Sequence, residues 1–240
     1  MSQLLWHKMI SWLKKIMVPE WISAIAMILV VIVAIFQDRI RAWLKRAKLE
    51  VSVNFAPPDC HKTTLASCDA VGRPINVADC YYFRLRVKNV GNERAELVEV
   101  FAAELSKEQA DGSFKRIDSF LPMNLVWSHI RKPFLDAISP GMEKLCDLGH
   151  IIDPSKRTQF RVEDNPKLNV PPNDTVFSFD LEVVPLTLSH LIPLGKYRLV
   201  IKIGAGNIKP LRKTLQINLT GKWFEDEAKM LDESIGIRIL

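Results

Sequence analysis

The sequence predicts a mainly β protein, an antiparallel β-sandwich preceded by an N-terminal transmembrane α-helix, and three observations carry that prediction. Ile22–Phe36 is a run of fifteen uncharged residues behind Trp21, ten of them Ile, Val, Leu or Phe. At roughly −0.3 to −0.6 kcal/mol each, those ten favour bilayer insertion by about 3 to 6 kcal/mol. From Leu49 onward the apolar period changes from 3.6 to 2, the change from helix to strand. Turn residues then separate one short alternating run from the next, as in a sandwich.

Residues 1–17 place Leu5, Met9, Leu13 and Ile16 at helical spacing, with Trp6 and Trp12 beside them and Lys8, Lys14 and Lys15 largely opposite. This is the pattern of an amphipathic helix lying in the membrane interface. Residues 18–48 form the transmembrane helix and its basic juxtamembrane extension. Ile16–Glu20 lengthen the span, Pro19 suits a first helical turn, and Glu20 sits near the positive end of the helix dipole. Trp6, Trp12, Trp21 and Trp43 mark the headgroup belts, where an amphipathic ring is most stable. Arg39, Arg41, Lys45, Arg46 and Lys48 follow the span, with Ile40, Trp43, Leu44 and Ala47 as an apolar stripe.

Of the formal charge of +6, +5 belongs to residues 1–50. Residues 1–50 hold eight Lys/Arg against Glu20, Asp38 and Glu50, so of the chain's 33 basic and 27 acidic residues only 25 and 24 remain for the other 190 positions. A near-neutral domain excludes a broad nucleic-acid surface, whereas the basic flanks attract anionic headgroups at about 1 kcal/mol per residue. Three Lys before the span against five Lys/Arg after it place the C-terminal domain in the cytoplasm of a single-pass inner-membrane protein. The alternative is a signal anchor with Lys14 and Lys15 inside and the domain outside. Cys60, Cys68, Cys80 and Cys146 show no regular spacing, and reduced thiols are expected.

The domain is expected over residues 49–220. Leu49, Val51, Val53 and Phe55 alternate until Pro57-Pro58, and a loop containing three cysteines reaches about Asp79. Tyr81, Phe83, Leu85 and Val87 then face one side of a strand and Tyr82, Arg84, Arg86 and Lys88 the other. Asn89-Val90-Gly91-Asn92 turns the chain and Ala95–Leu105 returns. Shorter strands are read at Phe114–Ile117 and Met123–Ile130. A strand from the Ser139-Pro140-Gly141 turn to about Ile151 precedes a polar loop over Lys156–Asn173. Alternating runs at Phe177–Val183, Tyr197–Ile203 and Leu215–Leu219 complete the sandwich, with a barrel as the competing architecture. Residues 221–240 are read as a C-terminal helix and tail, with Trp223, Phe224, Ala228, Met230 and Leu231 covering an open edge or end.

The stretch FRLRVKNVGNERAELVEV (83–100) resembles the bacterial immunoglobulin-like modules of the CARDB type, in which a strand ending V-x-N-x-G leads into a partner strand. The SPG turn with its strand (139–151) and the GKYRLVIKI strand (195–203) fit the same layout. The resemblance implies an immunoglobulin-like sandwich and a non-enzymatic adhesion or scaffold role. The whole plan is also similar to bacterial single-pass proteins with a small β domain, some of them in defence or signalling gene clusters.

No catalytic signature stands in the chain: G-x-S-x-G, H-E-x-x-H and the P-loop are all missing. Cys146 and His150, with His129, Cys60-His61, Cys68 and Cys80, lack zinc spacing, and a strand would hold Cys146 and His150 about 13 Å apart. The same residues lack an orienting partner for a thiol nucleophile. Gly204-Ala205-Gly206 reads as a strand-end turn, and Glu225-Asp226-Glu227 as a solvated helix face. Arg84, Arg86 and Lys88, extended by Arg198 and Lys202, form a basic row that reads either as a solvated face or as a site for an anionic ligand or headgroup. The expected function is a membrane-anchored, non-enzymatic module without cofactor or metal, which recruits an unidentified protein partner at the inner face. A self-associating effector or sensor, its spans brought together at Ser23, Ala24, Ala26 and Ala34, is the alternative. An external adhesion or wall-binding domain is the second alternative.

Overall fold

A computed structural model describes residues 20–160 and 168–240; for Glu20 and residues 38–44 it describes the backbone alone. The interfacial segment with Trp6, Trp12, Lys14 and Lys15 lies outside the described residues, as do the side chains of Arg39, Arg41 and Trp43. The chain divides into two compact units, Met1–Lys45 and Arg46–Leu240.

In the first unit, helix α1 runs from Glu20 to Leu44. Its side chains from Trp21 to Gln37 are exposed on every face, Met27 by 71% and Ile35 by 68%. Among the described residues no helix is long and apolar enough to cross a membrane. The seventeen residues with described side chains cover about 26 Å at about 1.5 Å each, against a hydrocarbon core of about 30 Å. The helix stops at Leu44, four residues before the expected end. Arg46 and Lys48 instead give their backbone N–H groups to the Asn92 and Asn89 side chains (2.9 and 3.2 Å), and they belong to the second unit.

The second unit carries, in chain order, β1 (Leu49–Ser52), β2 (Cys60–Cys68), β3 (Pro74–Asn89), β4 (Ala95–Glu108), β5 (Phe114–Arg116), β6 (Met123–Asn124), β7 (Val126–Trp127), β8 (Phe134–Ile138), β9 (Glu143–Ile152), β10 (Phe177–Phe179), β11 (Leu191–Ile192), β12 (Gly195–Ala205), β13 (Ile208–Leu219) and β14 (Ile235–Ile239). They form two antiparallel sheets. The first has the order β1-β3-β9-β10-β11, with β2 also on β3 and β7 on β9. The second has the order β14-β13-β12-β4-β5, with β6 and β8 also on β4. Alternation fixes which face each strand buries. Tyr81, Phe83, Leu85 and Val87 of β3 are wholly buried, and they share one core with Val98 and Val100 of β4, Leu199 and Ile201 of β12, and Leu215 and Ile217 of β13. The Trp127 indole N–H pins the sheets together by donating to the Val98 carbonyl at 3.1 Å. Among the described residues every core residue lies between Ala47 and Ile237, so this unit carries its own hydrophobic core.

One asparagine joins the sheets at one end. Asn89 is completely buried. Its Oδ1 accepts from Lys48 N and Gly91 N, and its Nδ2 donates to Glu93 O (2.7 Å) and Ile138 O (2.9 Å). A Cβ at Gly91 would lie 2.4 Å from Arg46 O and 2.5 Å from Lys48 N, so glycine is required where the entering chain crosses the turn. The consequence differs from the sequence expectation: β4 does not return beside β3. It crosses to the centre of the other sheet and pairs with β12.

Other expectations are also corrected. The cysteine-bearing loop is a hairpin, with β2 paired along the first half of β3. Asp69 closes it by accepting from Val71 N and Arg73 N at the Gly72 turn. Met123–Ile130 resolves into two two-residue strands on opposite sheets, and β8 adds a strand on β4 beyond those the sequence predicts. In the polar 156–173 stretch, Pro154–Gln159 is a 3₁₀ turn capped by Asp153, and residues 161–167 lie outside the described set. The final residues are not a tail: Ile235–Ile239 form β14 against β13, after a helical turn at Glu227–Ser234.

That C-terminal segment is fastened to the first sheet. Lys62 Nζ meets Glu225 Oε2 at 2.6 Å and Asp79 Oδ2 at 3.0 Å, and Tyr81 Oη donates to Phe224 O. The Lys62 ammonium, followed by the Trp223 indole, holds the Glu225 carboxyl below its ordinary range, and the two carboxylates raise Lys62.

Two predictions follow from these contacts. Asn89→Ala orphans two donors and two acceptors at about 1 kcal/mol each. Urea unfolding of residues 46–240 is therefore expected to show a loss of about 3–4 kcal/mol, and Asn89→Asp a similar loss because its carboxylate then faces two carbonyls. The Glu225 anchor is fully present above about 4.5, the ordinary value, and is lost as pH falls through the lower folded value. Lys62 is raised, so its share persists up to 10.5 and beyond. Amide-exchange protection of residues 222–234 is expected to drop between pH 6 and pH 3 before that of β12.

Candidate functional site

The site is built by a bulge. On β9, Gly149 pairs with Phe83 and Asp147 with Arg84, which leaves Leu148 as an extra residue that still points into the core. The extra residue shifts the alternation by one step. Cys146 therefore faces the core, while His150 and Asp147 both face outward, His150 opposite Tyr82. Gly149 is required here: a Cβ would lie 2.3 Å from Ser178 O and 2.6 Å from the Phe177 ring.

Outward-facing His150 meets Asp180, just beyond β10, with Nδ1 and Oδ1 3.1 Å apart. A carboxylate only accepts, so Nδ1 carries the proton toward Asp180. The His150 ring also packs on Tyr82, 5.3 Å between centroids. Above them opens a cavity of about 470 Å³. The β2–β3 hairpin supplies Leu65 and Asn76, the segment after the 3₁₀ turn supplies Phe160, and the loop after β10 supplies Asp180, Leu181 and Val184. Buried Arg157 ties the loop that carries Phe160 by donating to the carbonyls of Asp174 and Pro171 (2.5 and 3.1 Å). Arg131 stands at the mouth in a left-handed conformation (φ 50°), two residues after His129 (φ 70°). Such backbone in non-glycine residues costs of order 1 kcal/mol or more each and clusters at functional sites. His190, 1% exposed, lines the same wall.

The sequence-predicted basic row is placed differently from its expectation. Arg84 Nε is 2.9 Å from Asp147 Oδ1, which also accepts from Ser128 Oγ, and Arg84 Nη1 donates to Pro58 O. Arg86 is held by fully buried Asp59 (2.5 and 3.1 Å) and by Glu143. Lys88 is exposed but lies in register between Glu50 and Glu143. Two of the three cations are thus neutralised from within. Arg198 and Lys202 do not extend the row, because they lie on β12 in the other sheet, where the Arg198 guanidinium sits 3.9 Å above the Phe114 ring. Trp21 and Lys45 are exposed in the first unit.

The three buried thiols are held in the protonated form. Burial pushes Cys60 and Cys80 up to about 12, with the nearby Asp180 charge adding to Cys80, and burial raises Cys146 well above its usual range. Burial and Asp180 likewise raise the Tyr82 phenol. Among the described residues no group of three or more His, Cys, Asp and Glu is placed to hold a metal ion. The arrangement can bind a ligand: apolar walls, a buried carboxylate, and an arginine at the rim. No family model, curated protein or solved structure matches this chain.

All four cysteines are free and only Cys68 is exposed. Since the thiolate is the reactive form, a thiol near 12 is about one ten-thousandth ionised at pH 8. Iodoacetamide at pH 8 is expected to label Cys68 rapidly in native protein and the other three only after unfolding, as peptide mass mapping would show.

Proposed function

We propose that this chain is a membrane-tethered, non-enzymatic binding module: the N-terminal helix anchors an immunoglobulin-like sandwich at the inner face of a bacterial membrane, where the sandwich recruits a protein partner. The observation that carries the reading is α1, whose side chains from Ile22 to Phe36 are uncharged and exposed all round. A helix apolar on every face needs apolar surroundings, and a bilayer supplies them. In sequence, Ile16, Met17 and Val18 precede the helix with further apolar residues, and the flanking Lys14, Lys15, Arg39, Arg41, Lys45, Arg46 and Lys48 suit anionic headgroups. The larger basic cluster follows the span, which favours a cytoplasmic sandwich. The absence of chemical signatures and the raised thiols favour binding over catalysis.

The cavity favours a second reading, that of a sensor in which ligand binding to the sandwich drives association of copies in the membrane plane. Its volume lies within the range of small-molecule sites.

Alkaline carbonate extraction of cells expressing the full chain is expected to leave it in the membrane pellet, and a chain of residues 46–240 in the supernatant. A fluorescent-protein fusion after Leu240 is expected to glow, and an alkaline phosphatase fusion to be inactive. Phosphatase activity would move the sandwich outside and put adhesion or wall binding first. Extraction of the full chain into the supernatant would remove the anchor.

A further inference from the structure

We infer that the cavity on the outer face of the first sheet is a small-molecule site for an amphiphile with a ring-sized apolar body, an N–H donor at one end and an anionic group at the other. The inference deepens the sensor reading but needs only the sandwich, not the anchor.

Each part of the ligand answers a residue. Leu65, Phe160, Leu181 and Val184 give the walls an apolar surface from three separate elements, a surface that favours a hydrophobic body over water. The donor answers Asp180. This residue is 4% exposed, and His150 satisfies only Oδ1; Oδ2 is buried with no hydrogen-bond partner among the described residues. A buried carboxylate oxygen without a donor is a costly group, and the cost is recovered when a ligand supplies one. The terminal carboxylate torsion is soft, so a small rotation turns Oδ2 toward a donor entering the cavity. A ligand with only acceptors would meet this wall unfavourably, so the residue selects as well as binds.

The anionic end answers Arg131. Its side chain is exposed at the rim, and its left-handed backbone is fixed by two hydrogen bonds, Arg131 N to Trp127 O and Trp127 N to Lys132 O, both 2.9 Å. The strain is thus held by the Trp127 backbone on β7, a residue whose indole is fixed in the core. The loop places a cation at the mouth of a cavity whose inner wall carries the Asp180 carboxylate, and this polarity orients the ligand. Arg84, the other guanidinium near Tyr82, is already engaged by Asp147, which leaves Arg131 as the guanidinium among the described cavity-lining residues.

The test uses residues 46–240 and 6-(p-toluidino)naphthalene-2-sulfonate, which carries an arylamine N–H and a sulfonate at opposite ends of a fused ring. Fluorescence titration is expected to give one site per chain with micromolar affinity. Val184→Trp, at an exposed rim position, fills the mouth and is expected to weaken binding at least tenfold. Arg131→Ala is expected to weaken it about tenfold, with the loss largest at low salt. Asp180→Asn is expected to weaken it as well, and its thermal melt reports whether it folds; the two rim variants do not depend on that outcome. Binding that is absent, or unchanged in both rim variants, would overturn the inference and leave the membrane anchor untouched. Loss of membrane association in the full chain would overturn the anchor and leave this titration unchanged.

Discussion

The sandwich depends on one amide. Asn89 makes four side-chain hydrogen bonds and two through its backbone, to Met142 O and from Gly141 N. Its six partners come from the entry to β1, the turn after β3, the approach to β4, the end of β8 and the turn before β9, and so from both sheets. Asparagine is suited to this because one end accepts twice and the other donates twice, and a buried position makes each of those bonds obligatory. Satisfied polar networks in a low-dielectric interior specify one arrangement over its competitors. Here the competitor is the β3–β4 hairpin, which the sequence alone favours.

The second constraint is the single extra residue on β9. An unbulged strand of period 2 would keep Cys146 and His150 on one face. With Leu148 inserted, the thiol joins the core and the imidazole leaves it to meet Asp180. The same step sends Asp147 outward to Arg84, so the bulge both builds the cavity wall and neutralises the neighbouring cation. Bulges re-aim side chains in this way and leave little trace in composition. Gly149 was the available signal, since glycine inside a strand marks a bulge or a close approach.

What could be read from the sequence follows from how strongly each element alternates. β12, β3 from Tyr81 onward and β13 from Leu215 onward bury one face, and the buried apolar residues there fall at every second position, so both existence and orientation were legible. The β2 strand, CHKTTLASC, is half-exposed along most of its length and has no such alternation, so it read as a loop. The β14 strand was legible in Ile235, Ile237 and Ile239, but the acidic helical turn just before it suggested that the helix continued. The basic row was legible as residue types on one strand face. Its neutralisation was not, because Asp59, Asp147 and Glu143 arrive from distant positions in the chain. The cavity draws on residues 65 to 190, a separation that no local pattern encodes.

The geometry of β3 limits how a bound ligand could act on the rest of the chain. The chain enters the sandwich at the Asn89 end of β3, where Lys48 and Arg46 are held. Tyr82, beside His150, is seven residues away, about 23 Å at about 3.3 Å per residue, and Asn76 on the cavity rim is thirteen away, about 43 Å. A ligand in the cavity therefore does not touch the entry segment. Between the two lie Arg84 and Arg86, each clamped by buried acids, and a core strand whose inner residues are fully buried. Close-packed elements of this kind are stiff and do not relay small displacements as a hinge does. On the sensor reading, ligand binding must then act where it occurs, by changing the exposed rim formed by the β2–β3 hairpin and the loop after β10. Val71, Ile75, Val183 and Leu186 stand exposed on those two segments, with Leu186 wholly exposed. Coupling through that rim to a second molecule requires no motion of β3, whereas coupling to the helix through the fold requires β3 to yield.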